Sequence, residues 1–88
     1  MSHHTHPDVI KRLKRADGHL QTIIEMIEEG RPYAQLAQQL EAVERAIENA
    51  KKALIHEHID QCLDRAVAEP GPKARAAVRQ LKLVAKYL

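Results

Sequence analysis

The longest periodic pattern of apolar residues runs from about Tyr33 to Ala68 and contains no internal glycine or proline. Its apolar side chains recur at alternating steps of four and three: Leu36, Leu40, Val43, Ile47, Ala50 and Leu54. This spacing predicts the packed seam of a long amphipathic helix. Pro32 is well placed to open this helix, and the Glu69-Pro70-Gly71-Pro72 segment is well placed to end it.

One further helix is predicted on each side of this long helix. The first runs from Pro7 or Asp8 to about Glu29 and stops at Gly30. Its predicted buried stripe comprises Ile10, Leu13, Leu20, Ile24 and Ile27. A short helix begins near Lys73, and its predicted inward side chains are Ala74, Ala77, Val78, Leu81, Ala85 and Leu88. The pattern therefore predicts an all-α fold with three helices per chain, two long and one short.

The length of 88 residues fits one domain, with a flexible His-rich segment at 1–7 and a single helical domain at 8–88. The chain has no Phe or Trp, so its core must be built from Leu, Ile, Val, Ala and Met. Such a small core is marginal, and a helical hairpin with a long seam cannot bury both of its faces alone. We therefore expect self-association into a helical bundle.

The cellular compartment is predicted from the cysteine count and from the absence of apolar segments. The single cysteine excludes an intrachain disulfide and fits a reducing cytosol. No signal peptide and no apolar run of membrane-spanning length is present in the sequence. These features predict a cytoplasmic protein without membrane association.

Basic side chains cluster in the first helix, although the net charge of the whole chain is only +2. Lys11, Arg12, Lys14 and Arg15 are uncompensated in sequence, because no acidic residue lies between Asp8 and Asp17. One interpretation is a solvated helix face, which most charged runs are. The other is a compact patch that binds DNA phosphates.

Candidate metal ligands occur in two places. His58 and Cys62 lie four residues apart and therefore point from one face of a helix toward a common atom. His3, His4 and His6 lie near the amino terminus, as a flexible tail or as mobile imidazole donors. Cys62 could instead be a small buried hydrophobe. A catalytic Cys–His dyad lacks an identifiable orienting group or oxyanion donors, so no enzymatic activity is expected.

Four blocks carry a resemblance to a known family: KRLKRADGHL, MIEEGRPY, QQLEAVERAI and LIHEHIDQCL. From Pro7 to Leu88 the chain resembles the CsoR/RcnR family of bacterial metal-sensing repressors. The resemblance implies an antiparallel four-helix-bundle dimer that assembles into a tetramer. It also implies binding of operator DNA in the apo form without a helix-turn-helix, and release on inducer binding. Family inducers include Cu(I), nickel, cobalt, formaldehyde and sulfur species.

Within this resemblance, His58 matches a histidine ligand and Cys62 matches the ligand that follows it. Tyr33 falls where the family has a cysteine, and a phenol, with an ordinary pKa near ~10, is a poor metal ligand. The N-terminal histidines are similar to those that complete the site in nickel/cobalt members. Tyr33 and His58 are roughly 37 Å apart on one straight helix. Only a second, antiparallel copy of the helix would bring these two positions together.

The leading hypothesis is a cytosolic, tetrameric, metal-responsive repressor. His58, Cys62 and one or more of the N-terminal histidines would bind Ni(II) or Co(II), since imidazoles outnumber thiols, with Cu(I) or Zn(II) left open. Operator DNA would bind at the basic cluster of the first helix. A second hypothesis is a repressor of the same fold that has lost or changed its inducer. A third is a helical interaction module whose basic face meets an acidic protein.

Overall fold

A computed structural model describes residues 6–88, which form three α-helices without a β-strand in that range. Helix α1 spans Pro7–Glu28, α2 spans Tyr33–Ala68 and α3 spans Pro72–Ala85. The prediction of two long helices and one short helix is confirmed. Pro7, which the sequence boundary assigned to the tail, is the first residue of α1. No helix among residues 6–88 combines the length and the apolar character needed to cross a membrane.

The turn between α1 and α2 is set by Gly30. Its φ of 74° lies in the left-handed region, which glycine adopts without steric cost. The Gly30 amide donates to the carbonyl of Ile27 at 3.0 Å, and the Arg31 amide donates to the carbonyl of Met26 at 3.1 Å. These two bonds satisfy carbonyls at the end of α1 in a Schellman motif. Pro32 then precedes α2, so the chain reverses within four residues.

The described residues form two compact units, one ending at Lys51 and the other spanning Lys52–Leu88. The first unit contains α1 and the first half of α2. Its buried apolar residues repeat mostly at intervals of seven on both helices: Val9, Ala16, Ile23, Met26, Leu36, Val43 and Ala50. This repeat is typical of antiparallel helices that pack along a coiled-coil-like seam. The fully buried Ile23 lies in this seam.

The predicted buried stripe of α1 is wrong for the single chain. Those five side chains keep between 37% and 52% of their surface exposed: Ile10, Leu13, Leu20, Ile24 and Ile27. On α2 the predicted seam is only half buried, because Leu40, Ile47 and Leu54 are exposed. The physical reason is that each helix carries two neighbouring apolar stripes, and one neighbouring helix can cover only one of them. The open stripes of α1 and α2 are hereafter called the open apolar surface.

The second unit packs the remainder of α2 against α3. Its buried residues are Ile55 and Cys62 on α2 and Ala77 on α3. Of the positions predicted to point inward, Ala77 is buried and Ala74 and Leu81 are half-buried, but Val78, Ala85 and Leu88 are exposed. A single small residue at the centre of α3 permits close packing of the two helices, and the larger aliphatic residues flank the contact.

Candidate metal centre and nucleic-acid interface

His58 and Cys62 lie one turn apart on α2, within the second unit. The Cys62 Sγ is 3.6 Å from Nε2 and 4.0 Å from Nδ1 of the His58 imidazole. Cys62 is a free thiol with only 5% of its surface exposed, whereas His58 is half-buried. The continuous helix fixes this geometry, because residues at i and i+4 occupy the same face. The structure thus brings together the two donors that the sequence paired.

This pair supplies a soft sulfur donor and a borderline nitrogen donor. Such a set suits Cu(I), Ni(II), Co(II) or Zn(II) rather than magnesium or calcium, which prefer oxygen ligands. Two donors do not complete a zinc site, which takes four ligands, or three and an open position. Among residues 6–88, no group of three or more His, Cys, Asp or Glu side chains is placed to hold a metal ion.

The remaining predicted metal-site residues fall elsewhere. His3 and His4 lie outside the described residues. His6 precedes α1, is half-buried and has left-handed backbone angles, with φ 48° and ψ 55°. Tyr33 is the first residue of α2 and has 89% of its surface exposed. His6 and Tyr33 both belong to the first unit, whereas the thiol–imidazole pair belongs to the second.

The predicted basic cluster lies on α1, where all four of its side chains are exposed. Arg12 Nε donates to Asp8 Oδ2 at 2.8 Å, one turn earlier on the helix. This hydrogen bond and the charge of Arg12 lower the pKa of Asp8, and the charges of Lys11 and Arg15 act in the same direction. The expectation of four uncompensated cations is therefore corrected: Arg12 is paired with Asp8, which helical spacing at i, i+4 allows.

Arg12 and Arg15 line a cleft between α1 and α2 of the first unit, together with Ala16, His19, Ala46 and Asn49. Lys11 and Lys14 do not line it. The cleft holds about 260 Å³, and no carboxylate is among its lining residues. Its two guanidinium groups can present paired donors to a phosphate, a geometry that lysine lacks. The arrangement therefore separates the four predicted cations into two cleft arginines and two outer lysines.

His19 and Asn49 are cleft residues that the sequence did not single out. His19 Nε2 lies 2.6 Å from Oε1 of Gln39, which ties α1 to α2 at the edge of the cleft. His19 lies one turn after Arg15 and two turns after Arg12, and this spacing could have indicated that it shares a helix face with the two arginines. Asn49 gave no such signal, because its approach to α1 depends on the pairing of two helices.

A family model for metal-sensitive transcriptional repressors matches residues 5–86 of this chain. The copper-sensing transcriptional repressor RicR of Mycobacterium tuberculosis is 41% identical over 64 residues, which cover 73% of this chain and 67% of RicR. The copper-sensing transcriptional repressor CsoR of Mycobacterium ulcerans is 33% identical over 78 residues, covering 89% of this chain. The chain spans only 65% of the length of that CsoR.

Among solved structures, the nickel-responsive transcriptional regulator InrS is similar to this chain with a TM-score of 0.83 and 26% sequence identity. The alignment covers 100% of this chain and 98% of InrS. The match to the family model and the identity to RicR and CsoR support the same assignment as the similarity in fold. The chain belongs to the CsoR/RcnR family of metal-sensitive transcriptional repressors.

Proposed function

We propose that this protein is a DNA-binding repressor that releases DNA when a transition metal binds at His58 and Cys62. The observation that carries the proposal is the thiol–imidazole pair, one turn apart with Sγ and Nε2 3.6 Å from each other. Family membership supports a regulatory role in place of an enzymatic one. In this role Cys62 binds as a thiolate and His58 as a neutral imidazole, so metal binding displaces protons.

The preferred metal is proposed to be nickel or cobalt. His58 and Cys62 supply one imidazole and one thiol, and one or more of His3, His4 and His6 would supply further imidazoles. A donor set with more nitrogen than sulfur favours Ni(II) or Co(II). The nickel-responsive regulator InrS, which has the same fold, supports this choice.

Cu(I) is the second candidate, because the relatives RicR and CsoR are copper-sensing repressors. A thiolate is a strong ligand for Cu(I), and Cys62 supplies one. Because Tyr33 stands where the resemblance implies a cysteine, a second thiolate ligand is missing. Competitive titration with Ni(II), Co(II), Cu(I) and Zn(II), each followed by measurement of DNA release, distinguishes the candidates. A protein that binds DNA but responds to none of the four ions would be a repressor with a different inducer.

The open apolar surface is proposed to be buried by further copies of this chain in a four-helix-bundle dimer that assembles into a tetramer. On α1, Leu13, Leu20 and Ile24 lie on one flank of the buried seam, while Arg12 and Arg15 lie on the other flank. Self-association on the apolar flank therefore leaves the arginine cleft accessible. The exposed aliphatic side chains also explain why a marginal single-chain core would be stabilised by assembly.

We expect Ile24→Glu to reduce the oligomer to smaller species in sedimentation velocity at micromolar concentration, because a buried, unpaired carboxylate is strongly unfavourable. Thr22→Glu is the matched control, since Thr22 is exposed on the same helix and donates its hydroxyl proton to Gly18 on its own helix. This control should sediment like the unmodified protein. A stable folded monomer of the unmodified chain would contradict the proposed assembly.

Arg15→Ala is expected to weaken DNA binding about 10-fold or more at ~0.15 M salt, and Arg12→Ala to weaken it less. Arg15 lines the cleft without a carboxylate partner among residues 6–88, whereas Arg12 is held by Asp8. Fluorescence anisotropy with a labelled duplex at several salt concentrations measures both affinity and salt dependence.

Lys14→Ala serves as the control for this experiment, because Lys14 has the same charge on the same helix but lies outside the cleft. Its effect on affinity should be smaller than that of Arg15→Ala. Circular dichroism should show equal helicity in all three variants, since each side chain is exposed. Equal affinities for Arg15→Ala and the unmodified protein would rule out the cleft as the phosphate-binding site.

A further inference from the structure

The carboxyl-terminal part of the chain carries a strong positive charge that the proposed function does not yet use. From Pro70 to Leu88 the sequence has five basic residues and no acidic residue: Lys73, Arg75, Arg79, Lys82 and Lys86. Residues 1–69 contain the other nine basic residues and all twelve acidic residues. The small net charge of the whole chain is therefore the sum of a basic segment at 70–88 and an acidic segment at 1–69.

Three of these cations form one stripe on α3. Arg75, Arg79 and Lys82 follow one another at steps of four and three, which places them on a single helix face. Together with Ala74 and Val78 they line a shallow groove of about 350 Å³. Ala77 projects from the opposite side of the helix and is 2% exposed, so the stripe faces away from the core of the second unit.

The three side chains of this stripe, hereafter the α3 basic stripe, have no carboxylate within salt-bridge distance among residues 6–88. Some other cations of the chain do have one: Lys73 lies 3.6 Å from Glu69, and Lys51 lies 3.2 Å from Glu48. The charge of the stripe is thus concentrated, and no carboxylate within residues 6–88 neutralises it. Such a surface attracts a polyanion.

We propose that the α3 basic stripe binds the phosphate backbone of DNA, as a second contact in addition to the arginine cleft of the first unit. The inference rests on the proposed DNA-binding function. The stripe extends about 10 Å along the helix axis, which matches the rise of about three base pairs. Two of its three cations are arginines, whose planar guanidinium groups bind phosphate through paired hydrogen bonds.

A membrane surface fits the α3 basic stripe less well than DNA. Membrane-binding amphipathic helices place large apolar side chains opposite their cations, and these side chains enter the lipid. Opposite the α3 basic stripe lies Ala77, which is small and already buried within the second unit, whereas the exposed Val78 lies in the groove among the cations. DNA binding needs no apolar face, because the contact is with phosphate oxygens alone.

The test compares the full chain with the variant Arg75→Gln/Arg79→Gln/Lys82→Gln. The probe is a fluorescent duplex of mixed sequence, about 40 base pairs long, because phosphate contacts do not depend on sequence. We expect the variant to bind about 10- to 100-fold more weakly near ~0.15 M salt. The negative slope of log affinity against log salt should become shallower, its magnitude decreasing by about 2 to 3. Glutamine retains helix propensity, and circular dichroism checks the fold.

The matched control is Arg31→Gln/Lys51→Gln/Lys73→Gln, which removes the same net charge from positions already paired with carboxylates. Its salt slope should stay close to that of the unmodified protein. An equal fall in both triple variants would overturn the proposal, because net charge alone would then explain the effect.

Two other outcomes separate this inference from the proposed function. If the α3 variant keeps its salt slope while Arg15→Ala loses affinity, the α3 basic stripe does not contact DNA but the proposed function stands. If the unmodified protein binds no duplex even at low salt, both fail. Vesicles rich in phosphatidylserine provide the last comparison: loss of vesicle binding in the α3 variant, with unchanged DNA binding, would assign the stripe to anionic membranes and overturn the proposal.

Discussion

Cys62→Ala is expected to abolish tight metal binding, with a loss of affinity greater than about 100-fold for Ni(II), Co(II) and Cu(I). Removing even an outer-shell partner of a metal site typically lowers metal affinity about 10- to 100-fold. Cys62 is proposed as the only thiolate ligand, so its removal should have a larger effect. The variant should retain DNA binding and lose metal-induced release. Chelator competition measures affinity, and the loss of the thiolate-to-metal charge-transfer absorption in the Co(II) complex reports the missing sulfur.

His56→Ala is the matched control for the thiol–imidazole pair. His56 is exposed and lies two residues before His58, so it points from a different face of α2. Its removal should leave metal affinity unchanged, whereas His58→Ala should reduce it strongly. If Cys62→Ala lowers only the free energy of unfolding, by about 1 kcal/mol, and leaves metal affinity intact, the thiol is a core residue and the proposed centre is wrong.

A chain lacking residues 2–6 extends the same titration to the N-terminal histidines. If they complete the site, this deletion should weaken Ni(II) binding substantially while the charge-transfer signal of Cys62 persists. DNA binding without metal should be retained, because Arg12 and Arg15 remain. An unchanged Ni(II) affinity would remove the tail from the donor set and leave a second copy as the source of further ligands.

The helices were predictable because their ends are marked by residues with strong backbone preferences. Pro7 begins α1, Gly30 lies in the turn that follows it, and Pro70 and Gly71 lie between α2 and α3, which begins at Pro72. Each signal acts locally: proline restricts its own φ and lacks an amide proton, and glycine accepts positive φ. Local signals of this kind do not depend on which helices later pack together.

The face of α1 that is buried in the single chain was not predictable from the sequence of α1 alone. The larger aliphatic side chains of the helix, such as Leu13 and Leu20, suggested its buried stripe, but the hairpin instead buries a line that includes the small Ala16. A small residue allows two helices to approach closely, which favours packing within the hairpin. The larger side chains remain on the open apolar surface. Hydrophobicity alone cannot distinguish a contact within one chain from a contact between copies.

The candidate metal centre could be predicted from sequence spacing, whereas the arginine cleft depends on how two helices pack. His58 and Cys62 belong to one continuous helix, so their spacing alone determines their proximity. The cleft joins Arg15 of α1 to Asn49 of α2, and its composition depends on the register of the hairpin. Sequence spacing found the two cleft arginines but also included two lysines that lie outside the cleft. Tertiary packing supplied the distinction.

Tyr33→Cys is expected to increase Cu(I) affinity by about 100-fold or more, because a second thiolate would join Cys62 in a site shared between two antiparallel copies. Tyr33 is 89% exposed, so the substitution should not disturb the core of the first unit. The Ni(II) affinity should rise less, since nickel already has imidazole donors. The measurement is competition for Cu(I) under anaerobic, reducing conditions, which prevent a disulfide between the two thiols.

The double variant Tyr33→Cys/Cys62→Ala tests whether the two positions share one ion. If they do, the gain from Tyr33→Cys should largely disappear without Cys62, giving a large coupling energy in the double-mutant cycle. Tyr33→Phe keeps the ring and removes only the hydroxyl, so it should bind metal as the unmodified protein does. A loss of metal binding in Tyr33→Phe would make the phenol a true ligand and would displace the N-terminal histidines from that role. A gain that persists without Cys62 would place Tyr33 at a separate site.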